Sequence, residues 1–197
     1  MKKIISMAIA LIMAVNVNAQ EGYEDTKHEV SIALGIEANS QWIDDFEDIF
    51  DGYSCNNESC MEPISVEYFY HINKMLSLGA IFVYGNRKED AYALWSSKQD
   101  RIGKCSNNYY TLLPTVKFNF VRKKNFGLYS KAGLGVTYRT ESIDYDDGSE
   151  DYSEKAMLFN WQLSFIGVEA GSPYMRAFAE LGFGEQGIVC AGLRYKF

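Results

Sequence analysis

Apolar and polar residues alternate along most of this chain, in eight separate segments. The closing nine residues, VCAGLRYKF, show the pattern: Val189, Ala191, Leu193, Tyr195 and Phe197 share one parity, and the residues between them share the other. Successive side chains of a β-strand point to opposite faces, so a period of two indicates a strand with one apolar face. The sequence therefore predicts eight such strands.

Seven earlier segments carry the same alternation. They are EVSIALGIEA, ISVEYFYHI, LSLGAIFVYG, LLPTVKFNF, GLYSKAGLGVTYR, FNWQLSFIGVEA and MRAFAELGF. In the sixth of these, the apolar parity shifts near Ser164 and Phe165. An extra residue moves all later side chains to the other face, so this shift predicts a β-bulge. No linker or low-complexity segment separates the strands, which predicts a single domain.

The connections between the predicted strands alternate in length. Short turns with the sequences INKM, VRKKN and GSPY follow the second, fourth and sixth strands, and the short turn GEQG precedes the last. Long connections cover residues 39–62, 87–108 and 140–156. This alternation predicts up-and-down strands, with the long loops at one end and the tight turns and both termini at the other. Closure into an eight-stranded barrel would leave no unpaired sheet edge.

The residues opposite the apolar parity decide which face is inside. A soluble lipocalin-like barrel places its apolar side chains inward, whereas a membrane barrel places them outward. The opposite parity here combines glycine with charges of both signs. Its members include Gly35, Gly79, Gly133, Gly135, Gly182, Gly192, Glu37, Glu67, Lys117, Lys131, Arg139, Glu169, Arg176, Glu180, Arg194 and Lys196. Glycine weakens a solvated strand, but in a narrow interior it makes room for large neighbours. Charges of both signs could pair with one another there.

Aromatic residues favour the membrane barrel as well. They lie on the apolar parity near strand ends, as Tyr68, Phe120 and Tyr195 do. Amphipathic rings at the two membrane interfaces form the girdles that are typical of barrels in an outer membrane. The sequence therefore predicts a barrel whose apolar face meets lipid and whose charged face lines the interior.

The first 19 residues predict a secretory signal peptide. Two lysines precede an apolar run from Ile4 to Val15, and a small-residue cleavage site ends at Ala19. The run is too short for a membrane-spanning helix. Residues 20–197 would then form the barrel domain. The net charge of −7 gives no electrostatic support for nucleic-acid binding.

With these features the chain resembles the small eight-stranded outer-membrane barrels of Gram-negative bacteria, the OmpA/OmpX-like family. The resemblance rests on the eight segments, the three long loops and the terminal GLRYKF. It implies an all-β, eight-stranded antiparallel up-and-down transmembrane β-barrel in the cell outer membrane, with periplasmic termini. In that family the barrel-assembly machinery recognises an aromatic last residue with apolar residues at alternating positions before it. Leu193, Tyr195 and Phe197 match this signal.

The resemblance also implies a structural or surface-interaction role, with outer-membrane lipid and lipopolysaccharide around the barrel and an unknown ligand at the loops. Side chains fill the interior of an eight-stranded barrel, so no open channel is expected. We predict no catalytic, cofactor-binding or metal-binding residue. Two alternatives stay open: a lipid-modifying enzyme in the barrel wall, for which His71 near Ser77 is the candidate, and a soluble secreted ligand-binding barrel.

The four cysteines suggest disulfides in an oxidising compartment. Cys55 and Cys60 lie close together in the first long loop, in the stretch CNNESC, and predict a local bridge. A second bridge, between Cys105 and Cys190, is an alternative that the sequence leaves open. The acidic stretch of the third loop, residues 141–154, is interpreted as a solvated loop face, because its glycine is not placed as a calcium-binding EF-hand loop requires.

Overall fold

The barrel predicted from the alternation is present. The computed structural model describes residues 26–36, 38, 53–93, 101–145 and 152–197. The strands are β1 (His28–Ile36), β2 (Tyr53–His71), β3 (Leu76–Ala93), β4 (Arg101–Arg122), β5 (Phe126–Tyr145), β6 (Tyr152–Gly171), β7 (Met175–Gly184) and β8 (Val189–Lys196). Consecutive strands pair antiparallel, and β1 also pairs with β8, so the sheet closes. The predicted eight-stranded, up-and-down antiparallel barrel is therefore confirmed.

The two faces of the barrel wall differ in polarity. Burial alternates along β7 residue by residue. Among the outward residues, Leu134 is 63% exposed and Phe159 is 68% exposed. Among the inward residues, Lys117 and Arg194 are completely buried. An apolar outer face on a closed sheet is suited to hydrocarbon and not to water. The soluble barrel with an apolar interior is therefore wrong for this chain.

The β-bulge predicted in the sixth strand is confirmed. The register between β6 and β7 shifts between Ser164 and Ile166. On the other side of β6, Ser130 of β5 faces the same irregularity. Phe165 and Ile166 are both exposed on the outer face, because the extra residue interrupts the alternation.

The long connections are shorter than predicted, because β2 to β6 continue into them. β2 begins at Tyr53, β3 ends at Ala93, and β6 begins at Tyr152. These five strands have 18 to 22 residues, whereas β1, β7 and β8 have 8 to 10. Assigning residues 39–62, 87–108 and 140–156 to loops was wrong over much of their length. Their polar sequences carry no alternation, and backbone pairing between neighbouring strands needs none.

The tight-turn end of the barrel holds both described chain ends. The N–H of His28 donates to the carbonyl of Phe197, and the N–H of Phe197 donates back, each at 2.9 Å. In the turn between β2 and β3, Asn73 Oδ1 accepts hydrogen bonds from the N–H groups of Met75 and Leu76. Within the described ranges, no helix is long and apolar enough to span a membrane.

Candidate functional site

A cluster of buried charges fills the middle of the barrel, with Arg194 of β8 at its centre. Its Nη1 lies 2.6 Å from Glu169 Oε2, and its Nη2 lies 3.1 Å from Glu67 Oε2. Its Nε lies 3.5 Å from Glu29 Oε1, which is an ion-pair distance without hydrogen-bond geometry. All four side chains are buried. Because an unpaired buried charge is costly, these contacts hold four strands around one guanidinium.

Three lysines complete this interior charge cluster. Lys117 pairs with Glu29 at 2.6 Å, Lys131 pairs with Glu67 and with Glu180 at 2.8 Å, and Lys196 pairs with Glu169. The carboxylates come from β1, β2, β6 and β7, and the cations come from β4, β5 and β8. The cluster therefore cross-links strands that are not neighbours in the sheet.

Most of the charged side chains that the sequence placed on the inner face are found there. The buried ones are Glu67, Lys117, Lys131, Glu169, Arg176, Glu180, Arg194 and Lys196. Arg139 is only partly buried and lies 4.0 Å from Glu141. Glu37 lies outside the described residues. The sequence reasoning missed Glu29, although it has the same parity as Ser31 in β1 and could have been found from it.

Aromatic rings pack against the charge cluster, and glycine makes room for them. The guanidinium carbon of Arg194 lies 4.8 Å from the ring centroid of Tyr129 and 4.3 Å from that of Phe178. Tyr129 Oη donates to Glu180 Oε1 at 2.6 Å. A Cβ added to Gly167 would overlap the Tyr129 ring, coming within 2.9 Å of its Cδ2. The predicted use of glycine, to leave space for large interior neighbours, is confirmed.

The short turn between β7 and β8 lies at the end of the long connections and folds into the barrel, so the prediction that all short turns share one end was wrong for GEQG. Glu185 and Gln186 are each 1% exposed. Glu185 accepts hydrogen bonds from Thr111 Oγ1 at 2.9 Å and from Asn160 Nδ2 at 2.7 Å. The residues on either side, Gly184 and Gly187, have φ angles of 130° and 94°, which favour glycine.

Gln186 links this inward turn to the charge cluster. Its N–H donates to Gln162 Oε1 at 2.7 Å, and its Nε2 donates to Ser65 Oγ at 2.8 Å and to Glu67 Oε1 at 2.9 Å. The sequence reasoning identified GEQG only as a short connection. The paired glycines around two polar residues were the available signal, but the partners on β2 and β6 become visible only in the closed barrel.

His71, the candidate of the enzyme alternative, does lie beside Ser77. His71 Nδ1 is 2.5 Å from Ser77 Oγ, and its Nε2 is 3.1 Å from Glu29 Oε2. Asn119 Nδ2 donates to Ser77 Oγ at 3.1 Å. A histidine that contacts both a serine and a carboxylate can activate the serine as a nucleophile, but a nucleophile must also reach its substrate. Ser77 is completely buried, and Glu29 is shared with Lys117, so this group joins β1, β2, β3 and β4.

The predicted assembly residues form a row on the outer face of β8. Leu193, Tyr195 and Phe197 are 56%, 50% and 52% exposed. The Phe197 ring stacks on the rings of His28 and Tyr195, with centroids 5.4 Å and 5.7 Å apart. The three side chains are thus together, accessible, and at the tight-turn end.

The cysteine predictions have different outcomes. Cys105 and Cys190 are both buried, and no disulfide joins them. The side chains of Cys55 and Cys60 lie outside the described residues. Their backbones pair with residues four apart on β3, a distance of about 13 Å along a strand, whereas a disulfide needs Cα atoms within about 7 Å. A Cys55–Cys60 bridge stays a prediction, and it would require this part of β2 to bend.

Five strands, β2 to β6, continue past the last residue pair between β1 and β2, at the end opposite the chain termini. This strand extension comprises residues 53–63, 85–93, 101–109, 139–145 and 152–156. The last pair between β1 and β2 is Leu34 with Ile64, and the last between β6 and β7 is Gln162 with Gly184. Within the described ranges and beyond these points, no strand pairs with the edge of β2 that faces away from β3, or with the edge of β6 that faces away from β5. An unpaired edge presents N–H and C=O groups to which an extended peptide can add.

The comparison with protein-family models agrees with this architecture. The family model described as "Outer membrane protein beta-barrel domain" matches residues 7–170. The comparison with curated protein sequences gives no match.

Several solved structures are similar in fold at low sequence identity. Ail of Yersinia pestis, the attachment invasion locus protein, in complex with the heparin analogue sucrose octasulfate, is 12% identical with a TM-score of 0.47, covering 87% of this chain and 97% of that one. The N-terminal β-barrel domain of Pseudomonas aeruginosa OprF is 13% identical with a TM-score of 0.44, covering 88% and 100%. Neisserial surface protein A is 13% identical with a TM-score of 0.41, covering 90% and 100%.

Proposed function

The chain belongs to the outer-membrane protein β-barrel family, and on that premise we propose that it binds a ligand outside the Gram-negative cell through its strand extension. The observation that carries this proposal is the difference in strand length. A tilted strand of about 9–11 residues crosses the hydrocarbon core. β1, β7 and β8 have 8 to 10 residues, so the additional length of β2 to β6 stands beyond the membrane.

The proposed orientation follows from the two different ends of the barrel. Residues 1–19 direct export, and residues 20–197 form the barrel domain. The tight turns and both termini face the periplasm, and the strand extension faces the exterior, as short periplasmic turns and longer outer connections do in such barrels. The interior charge cluster and the inward turn leave the protein without an open channel, and its role is structural and interactive rather than enzymatic.

The ligand class follows from the unpaired edges of the strand extension. Main-chain groups along residues 53–63 of β2 and 152–156 of β6 can pair with an extended polypeptide without a preformed pocket. Such pairing supplies affinity from the backbone and specificity from alternate side chains. The proposed ligand is therefore a polypeptide segment that adopts a strand.

Shortening the strand extension is expected to weaken peptide binding and leave the barrel folded. Asn86 pairs with Asn108, and Thr140 pairs with Lys155. Replacing residues 87–107 and 141–154 each by Asn-Gly therefore joins paired positions through a two-residue hairpin turn. Phage displaying linear peptides would be selected on the parent protein and counted on both forms. We expect a loss of at least several-fold in bound phage on the shortened form.

The matched control keeps the paired strands and changes only their tips. Residues 94–100 and 146–151 are replaced by glycine and serine at the same length. This form should retain the selected peptides, and loss of binding by it would assign the ligand to the loop tips. Equal binding to the shortened form and the parent would contradict the proposal. A heat-dependent shift in gel mobility checks that each barrel is folded.

We further propose that Leu193, Tyr195 and Phe197 form the signal that the barrel-assembly machinery reads. The support is their accessible row on the strand that closes the barrel. Phe197→Ala is expected to lower the amount of folded protein in the outer membrane several-fold, measured from the heat-modifiable band in that fraction. Phe183→Ala is the control, since Phe183 is an outward ring of β7 that is 48% exposed.

Refolding of the purified variants separates recognition from stability. If the row is a signal, Phe197→Ala refolds in detergent as the parent does, and it fails only in cells. Equal losses for Phe183→Ala and Phe197→Ala in cells would show that any outward ring is needed, and would overturn the assignment of a signal.

A further inference from the structure

Four exposed lysines gather at the tight-turn end of the barrel. They are Lys27 before β1, Lys74 in the turn between β2 and β3, and Lys123 and Lys124 in the turn between β4 and β5. We name this set the lysine collar. Among the described residues, the ion pairs involve none of these four lysines. Their ammonium groups are therefore available to an anionic partner.

The backbone beneath the lysine collar is held in place from the barrel interior. Arg176 Nη2 donates to the carbonyls of Lys123 and Lys124, each at 2.8 Å, and its Nη1 pairs with Glu169 at 2.6 Å. The N–H of His71 donates to the Lys27 carbonyl at 2.8 Å. The collar is thus fixed at the backbone, while its long side chains remain exposed.

The depth of the collar places it at lipid headgroups. Phe120, which is 63% exposed, precedes Lys123 by three residues, and Tyr70 precedes Lys74 by four. A strand rises about 3.4 Å per residue, so the Cα atoms of these lysines lie at most about 10–14 Å from the aromatic girdle. The headgroup layer adds roughly 5–8 Å on each side of the hydrocarbon core. Lysine side chains at that level extend toward the phosphates.

The charges at this end favour an anion. Two described side-chain carboxylates toward this end, Glu29 and Glu169, are buried and already paired with the interior cations. We propose that the lysine collar binds the phosphate headgroups of anionic phospholipids in the leaflet that the tight-turn end faces. Under the proposed orientation this is the periplasmic leaflet, but binding of the lipid does not depend on the outer ligand.

The test measures lipid preference at the surface of the whole barrel. The protein is reconstituted in phosphatidylcholine vesicles, and electron paramagnetic resonance compares spin-labelled phosphatidylglycerol with spin-labelled phosphatidylcholine. The parent is expected to prefer phosphatidylglycerol several-fold. The triple variant Lys74→Gln, Lys123→Gln and Lys124→Gln is expected to lose most of that preference. Added salt should lower the preference of the parent, because exposed charges are screened.

The matched control neutralises three exposed lysines at the opposite end, namely Lys88, Lys104 and Lys155. This control should keep the preference of the parent. Equal loss in both triple variants would overturn the proposal, since general charge would then suffice. A parent without preference would also overturn it, and the variant Glu21→Gln, Glu24→Gln and Asp25→Asn would identify the alternative occupant. A preference that appears only in that variant would show that the acidic N-terminal segment covers the collar.

Discussion

Replacing Arg194 by methionine is expected to cost about 3–5 kcal/mol of unfolding free energy, the usual cost of breaking a buried ion pair from one side. Arg194 lies within 4 Å of carboxylate oxygens of Glu29, Glu67, Glu169 and Glu180. Methionine preserves much of the side-chain volume, so the loss would come from charge and hydrogen bonds. Three lysines and Arg176 would remain beside the four carboxylates, but Glu67 and Glu169 would each lose the guanidinium contact.

Urea unfolding of the refolded barrel in lipid vesicles measures this loss. Arg139→Met is the matched control, because Arg139 is partly exposed and lies 4.0 Å from Glu141. The side chains of Arg139 and Glu141 are 11% and 23% exposed, so solvent screens this pair more than the pairs of Arg194, and its loss should cost less. Arg194→Lys should fall between the two methionine variants, since one ammonium group cannot reproduce the fork of a guanidinium. Equal stability of Arg194→Met and Arg139→Met would show that the interior charge cluster does not stabilise the barrel.

The large effect expected at Arg194 reflects how little apolar interior this barrel has. One buried apolar cluster contains Phe69, Ile81, Val83 and Leu113, and another contains Ala33, Phe178 and Cys190. Most other large apolar side chains face outward, where lipid surrounds them in the folded state. Interior packing and polar pairing must therefore supply specificity that a soluble protein obtains from a continuous apolar core.

The inward positions of Glu67, Lys117 and Arg194 could be predicted from the sequence, because alternation along a strand is fixed by backbone geometry. Their pairing could not be predicted. Arg194 meets carboxylates from strands that are separated along the chain, and which ones it meets depends on barrel closure and on the stagger between strands. Parity gives the face on which a residue lies, whereas the register gives its partner.

Two other features could not be predicted from the sequence, for different reasons. Polar residues occur at both odd and even positions of the strand extension, so its sequence lacks the alternation by which membrane strands are recognised. The inward turn at Glu185 carries two polar residues between glycines, a composition that also fits an exposed turn. Its burial is favourable only because Thr111, Asn160 and Ser65 offer hydrogen bonds inside the barrel.

Gly35→Ala is expected to displace this inward turn and destabilise the barrel. A Cβ at Gly35 would overlap the carbonyl oxygen of Gln186 and lie 2.9 Å from its carbonyl carbon. The overlapping atoms belong to the backbone of the turn, so no side-chain adjustment relieves the overlap and either β1 or the turn must move. Overpacking of this kind costs about 1–3 kcal/mol. Gly85→Ala is the matched control, because its nearest neighbour would be Tyr109 Cδ2 at an ordinary 3.7 Å.

Hydrogen exchange distinguishes displacement of the turn from general destabilisation. The N–H of Gln186 donates to Gln162 Oε1, so its exchange with solvent should be slow in the parent and in Gly85→Ala. In Gly35→Ala the same amide should exchange many times faster, while amides near Lys131 on β5 remain protected. Fast exchange throughout the barrel would indicate global unfolding, and unchanged exchange at Gln186 would contradict the prediction. Displacement confined to the turn would show that a glycine on β1 holds open the space in which residues 185–186 contact β2, β4 and β6.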